Sequence, residues 1–164
     1  MARKVFYSFH YENDINRTMV VRNRWVTQGT QTVSGVIDRA EFEAIKSRGD
    51  QAVYNWIDKQ LEDTSVTVVL LGANTLDRPF VKYEIYESIR RGNAIIGVHI
   101  NNIKDMITLS TTSKGDIYTS IGSYSDGSSI IFNNIAGAIY DYSFNDGYSN
   151  LGIWVEKAAQ EHNK

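Results

Sequence analysis

The sequence predicts an α/β fold: a doubly wound, mainly parallel sheet with flanking helices and a late β-hairpin insertion. Three observations predict it. Short β-branched or aromatic runs alternate with stretches of helical spacing at least four times, as in successive βαβ units. The run Val66-Thr67-Val68-Val69-Leu70-Leu71 is apolar almost throughout, as suits a strand covered on both faces. The 164 residues fit one domain, 1–164, which at that size buries roughly two-thirds of its unfolded surface without a disulfide or metal staple.

Taken in order, Val5-Phe6-Tyr7-Ser8-Phe9 reads as the first strand. Asp14 to Thr27 has helical spacing, with Ile15, Met19, Arg22/Asn23 and Val26 on one side. Thr32 to Ile37 reads as a second strand. Helices are expected from Arg39 to Lys46 and from Asp50 to Leu61, the latter repeating Val53, Ile57 and Leu61. After the Val66 strand, Asp77 is the expected N-cap of a helix with Pro79 in its first turn. Val81, Ile85 and Ile89 form that helix's stripe, and Gly92 stops it. Ala94 to Ile100 is a further buried strand. Asp126-Gly127, between Ser123-Tyr124 and Ile130-Ile131-Phe132, predicts a hairpin turn. A last helix, Tyr148 to Glu161, would bury Leu151, Trp154, Val155 and Ala158.

Composition removes several function classes. With 0 cysteines there is no disulfide framework, thiol nucleophile or Cys-ligated zinc. The net charge of -2 gives no basic field, so nucleic acid is not an expected partner. No apolar run approaches the ~20 residues of a membrane helix, and no signal-peptide core follows the first residues. A cytoplasmic location is expected. Open α/β sheets bind ligands at the carboxyl ends of their strands. There the loop Ser8-Phe9-His10-Tyr11-Glu12-Asn13 lacks the glycines of a P-loop or a dinucleotide-binding turn. Ser8-Phe9-His10 and Leu71-Gly72-Ala73 also lack the carboxylates of a receiver domain.

Several segments together carry a resemblance: Arg3-Lys4-Val5-Phe6-Tyr7-Ser8-Phe9-His10-Tyr11, then Val20-Val21-Arg22-Asn23-Arg24-Trp25-Val26, then Arg78-Pro79-Phe80-Val81-Lys82-Tyr83-Glu84-Ile85. Gly92-Asn93-Ala94-Ile95-Ile96-Gly97-Val98-His99-Ile100, Tyr140-Asp141-Tyr142 and Asp146-Gly147-Tyr148 continue it. In order and spacing the chain resembles the TIR-like proteins of bacterial Thoeris antiphage systems, the ThsB group. The resemblance implies a flavodoxin-like TIR fold and an NAD glycohydrolase or ADP-ribosyl cyclase. Such an enzyme releases nicotinamide and makes a cyclic or modified ADP-ribose. NAD is its substrate, with no cofactor and no metal. The diffusible nucleotide would reach a downstream effector, a phage protein is the expected trigger, and a homo-oligomer is compatible with the pattern. By the same resemblance Glu84 is the catalytic glutamate, and Phe6, Ser8, His10, Asn23 and Trp25 lie near the nucleotide. Phe80 stands where relatives often carry Trp, which keeps the pocket aromatic.

Each of these residues also has a plainer reading. Glu84 on spacing alone offsets a helix dipole. His10 is either a site residue or a hydrogen-bonded loop histidine, and His99 reads as structural. Trp25 either stacks on a base or belongs to the core. Asn23, on a helix face read as buried, needs a partner, whether ligand or backbone. Ser8 bonds a ribose or caps the next segment. Glu87 reads as half of an exposed pair with Arg91. Two other functions remain open at this level: a nucleoside deoxyribosyltransferase-like enzyme, and a non-enzymatic TIR-like scaffold.

Overall fold

A computed structural model describes residues 3–27 and 31–163. Five parallel strands form the main sheet: β1 (Arg3–Ser8), β2 (Gln31–Ser34), β3 (Val66–Leu71), β4 (Ala94–His99) and β7 (Ala138–Asp141), in the spatial order β2-β1-β3-β4-β7. A separate antiparallel pair, β5 (Ser120–Ser123) and β6 (Ser129–Ile131), forms the expected hairpin. Gly127 turns it at φ 90°. The helices are α1 (Tyr11–Thr27), α2 (Arg39–Lys46), α3 (Asp50–Leu61), α4 (Pro79–Arg90), the short α5 (Phe132–Ile135) and α6 (Gly147–Glu161).

Connection handedness distributes the helices. From β1 the chain steps outward to β2, then back past β1 to β3 and β4. Right-handed crossovers therefore put α1 on one face and α3 and α4 on the other. α6 packs with α1, and α3 packs with α4. Side chains alternate along β1, so Phe6 and Ser8 point toward the α3/α4 face and Tyr7 toward the α1 face. β3 and β4 are buried at every position, as expected for central strands under two helical layers.

Several sequence expectations need correction. The second strand stops at Ser34 because Gly35 leaves it at φ 85°, where a Cβ would lie 2.7 Å from Tyr7 O. Asp77 does not cap α4. Thr75 Oγ1 accepts from Gly72 N at 2.7 Å and closes a 3-10 turn over Thr75–Asp77, leaving Arg78 at the N-cap without a side-chain cap bond. The buried face of α1 carries Asp14, Ile15, Thr18, Val21 and Trp25 rather than the stripe through Met19 and Asn23. Apolar spacing does not mark that face because it includes a charged pair: Arg17 Nη1 donates to Asp14 Oδ1 at 3.1 Å, with both side chains almost wholly enclosed. β7 had no sequence signal. It is four residues long and mostly half-buried, so neither length nor patterning marks it. Among the described residues no helix is long and apolar enough to cross a membrane.

Candidate functional site

The carboxyl ends of β1, β3 and β4 converge on two neighbouring recesses. The first is built around Glu84. This is the sixth residue of α4, past the first turn where a helix dipole acts, and it is only 6% exposed. Its position on the stripe beside Val81 and Ile85 turns it inward against β1. Ser8 Oγ donates to Glu84 Oε1 at 2.9 Å within the buried interior. Burial pushes the Glu84 carboxyl up to about 8, partly offset by the Ser8 bond and by the positive charge of Arg78.

Aromatic side chains wall this pocket: Phe9, Tyr11, Phe42, Trp56 and Phe80. Tyr11 stacks on Phe42 with centroids 4.0 Å apart, Phe9 leans on Tyr11 at 4.9 Å, and Trp56 meets Phe42 edge-on at 6.3 Å. Tyr11 Oη donates to Asp38 O and accepts from Ile37 N, which ties the loop after β2 to the wall. Phe80 is held edge-on by Tyr54 at 5.3 Å. The enclosed space is about 20 Å³, room for about one water.

The second recess is a polar cleft of about 460 Å³, lined by the first turns of α1, the Ala73-Asn74 loop after β3 and the 105–112 segment after β4. The buried Asp14–Arg17 pair forms part of its floor. Arg17 donates to Ile103 O at 2.8 Å and Ser110 O at 2.9 Å, fixing the loop beyond β4. Asp105 accepts from Asn16 Nδ2 at 3.2 Å and from Ile107 N at 2.8 Å.

The structure brings Ser8, Phe80 and Glu84 together. Phe6 is fully buried one pleat below Ser8, its ring against Gly35, and supports the pocket from beneath. His10 caps α1: its Nδ1 accepts from Asn13 N at 3.3 Å and faces Glu12 Oε2 at 3.5 Å, while burial lowers its basicity. The bond to Asn13 N is of the kind the plainer reading of His10 expects. Asn23 and Trp25 are not brought to Glu84. They lie on α1, across the sheet. Asn23 is exposed, contrary to the buried position expected, and Trp25 is a core residue facing α6 at Gly152. His99 is buried at the end of β4. Glu87 pairs with Arg90 at 2.7 Å more closely than with Arg91 at 3.6 Å.

Sequence reasoning did not single out Phe9, Phe42, Trp56 and Arg78, which line the pocket with Glu84. Phe42 and Trp56 lie on helices whose apolar spacing explains them equally well as core. Only the fold shows that their rings line one pocket with Glu84. Among the described residues no three His, Asp or Glu side chains converge as a metal site.

The family model described as "Thoeris protein ThsB, TIR-like domain" matches residues 6–105, which include both recesses' floor and Glu84. A protein of Bacillus cereus (strain MSX-D12), provisionally named cyclic ADP-D-ribose synthase ThsB1, is 49% identical over 106 residues. That match covers 64% of this chain and 55% of the relative, so the chain matches little more than half of that protein's length.

Proposed function

The chain belongs to the TIR-like domain family of Thoeris protein ThsB, and we propose from that premise that it cleaves NAD between nicotinamide and ribose with Glu84 as the catalytic carboxylate. The observation that carries this reading is a carboxyl group kept from bulk water, bonded to Ser8, at the end of an aromatic pocket.

The chemistry suits such a pocket. The nicotinamide ring of NAD is cationic, and aromatic faces attract a flat cation. Its arrival beside Glu84 also supplies the opposite charge that draws the proton from a carboxyl raised by burial. As the C1′–N bond breaks, the electron pair stays with the pyridine nitrogen, so nicotinamide leaves neutral and no general acid is needed. The positive charge passes to the ribose, where an ionised Glu84 stabilises it. Water attacking C1′ gives ADP-ribose and a proton. Attack by a nucleophilic atom of the same molecule gives a cyclic ADP-ribose, and exclusion of water favours that outcome. The name carried by the Bacillus cereus relative supports the cyclic product.

A 20 Å³ space cannot hold a nicotinamide riboside. The aromatic wall therefore parts before turnover, and a phage-derived trigger or a second copy of the chain would act by favouring the open state. The nucleotide released in the cytoplasm is the signal to an effector.

The test is nicotinamide release from NAD by the purified protein, alone and with lysate of phage-infected cells, beside a folded Glu84→Gln variant. Release by the parent and not the variant is expected. No release in the presence of a trigger, or base exchange on deoxynucleosides without NAD turnover, overturns the reading.

A further inference from the structure

The wall between the two recesses is a cluster of charges. Glu12 Oε1 accepts from Lys46 Nζ at 2.9 Å and from Arg78 Nη2. Glu12 lines the polar cleft, whereas Arg78 lines the Glu84 pocket, so their pairing marks the boundary between the two. The guanidinium of Arg78 lies 5.0 Å from the Phe80 ring centroid, at the mouth of the aromatic pocket. All three side chains remain partly open to solvent. Two cations meet one carboxylate, and the adjacent His10 is held toward its neutral form by burial. The cluster thus carries one positive charge in excess.

We infer that Lys46 and Arg78 form a clamp for the diphosphate of the dinucleotide, and that Glu12 fills the clamp until substrate displaces it. The inference rests on the NAD-cleaving reading and assigns a further part of the same site. Two nitrogens that share one carboxylate oxygen are close enough to share the oxygens of one diphosphate. The Arg fork matches phosphate oxygens, and Lys adds a mobile point charge. A dinucleotide held there has its nicotinamide ribose on the Glu84 side and its adenosine on the side of the 460 Å³ cleft. Glu12 is then an internal competitor: the same carboxylate that neutralises the cations in the empty protein opposes an incoming anion.

ADP binding, measured by calorimetry at two salt concentrations with adenosine as the uncharged control, tests this without turnover. Arg78→Gln and Lys46→Gln should each weaken ADP binding about tenfold, as expected for a lost charge-assisted contact, and leave adenosine unchanged. Arg78→Lys, which keeps the charge but loses the fork, should bind ADP more tightly than Arg78→Gln and less tightly than the parent. Glu12→Gln should tighten ADP binding about three- to tenfold and steepen its salt dependence, where the cation variants flatten it. Unchanged ADP binding in both cation variants, or weaker binding in a folded Glu12→Gln protein, overturns the clamp. Nicotinamide release without this binding pattern removes the clamp and leaves the proposed activity. The binding pattern without nicotinamide release does the reverse.

Discussion

The pocket at Glu84 encloses about 20 Å³, while the cleft beside it opens to about 460 Å³, although both lie at the same end of one sheet. The small one is walled by stacked rings and hides a single carboxyl whose main partner is Ser8. In the large one the buried charged groups already have polar partners: Asp14 has Arg17, Arg17 has two loop carbonyls as well, and Asp105 has Asn16 and the N–H groups of Ile107 and Thr108. Paired charges brace a fold. A carboxyl kept from water and raised to about 8 is instead poised to change its charge when a cation arrives. The contrast gives the cleft floor a bracing role and makes the pocket the place for the proposed chemistry.

Breaking the cleft's pair is the largest expected effect. Arg17→Met leaves Asp14 enclosed without its cation and frees the carbonyls of Ile103 and Ser110, at a cost of about 3–5 kcal/mol in urea unfolding. Comparable stability in this variant would erase the contrast. Glu84→Gln works in the opposite direction. Nicotinamide release should fall about 10²–10³-fold, yet the protein should become more stable in alkali. The folded pKa lies above the ordinary 4.5, so the folded chain holds a proton that the unfolded chain has released. The parent therefore loses stability as pH rises from about 4.5 through about 8, by a few kcal/mol in all. Unfolding curves at pH 6 and pH 9 should show that decline in the parent and little of it in the variant.

Two glycines sharpen the comparison. A Cβ at Gly72 falls on the Asp14 carboxylate, and one at Gly35 lies 2.9 Å from the Phe6 ring in a left-handed backbone. Each change to Ala should cost about 1–3 kcal/mol by crowding. Gly35→Ala should alter nicotinamide release per folded molecule more than Gly72→Ala, because only Gly35 lines the Glu84 pocket. Ser8→Ala is the gentlest change, worth about 1 kcal/mol. It removes a bond that holds the Glu84 pKa down, so the rising limb of kcat/KM against pH should move to higher pH. An unmoved limb would mean that Glu84 is not the group titrating.

Much of the fold was legible locally. α2, α3 and β3 run between the residues their periodicity marks, and Pro79 and Gly92 bracket α4 as their backbone chemistry requires. Glu84, Ser8 and Phe80 were found by resemblance in two motif segments, and the structure places them together. Asn23 and Trp25 came from the same resemblance, and the structure sets them on α1, across the sheet from Glu84. Nothing in their spacing says on which side of a sheet α1 will lie.

The sequence by itself determined where strands and helices form, because apolar spacing and turn residues act within a few positions of the chain. Tertiary structure alone decided that Phe9, Phe42 and Trp56 line one pocket with Glu84, and that Glu12 bridges Lys46 and Arg78. Those contacts join residues from separate elements. Their meeting depends on crossover direction and strand order, which bring together side chains that no local pattern relates.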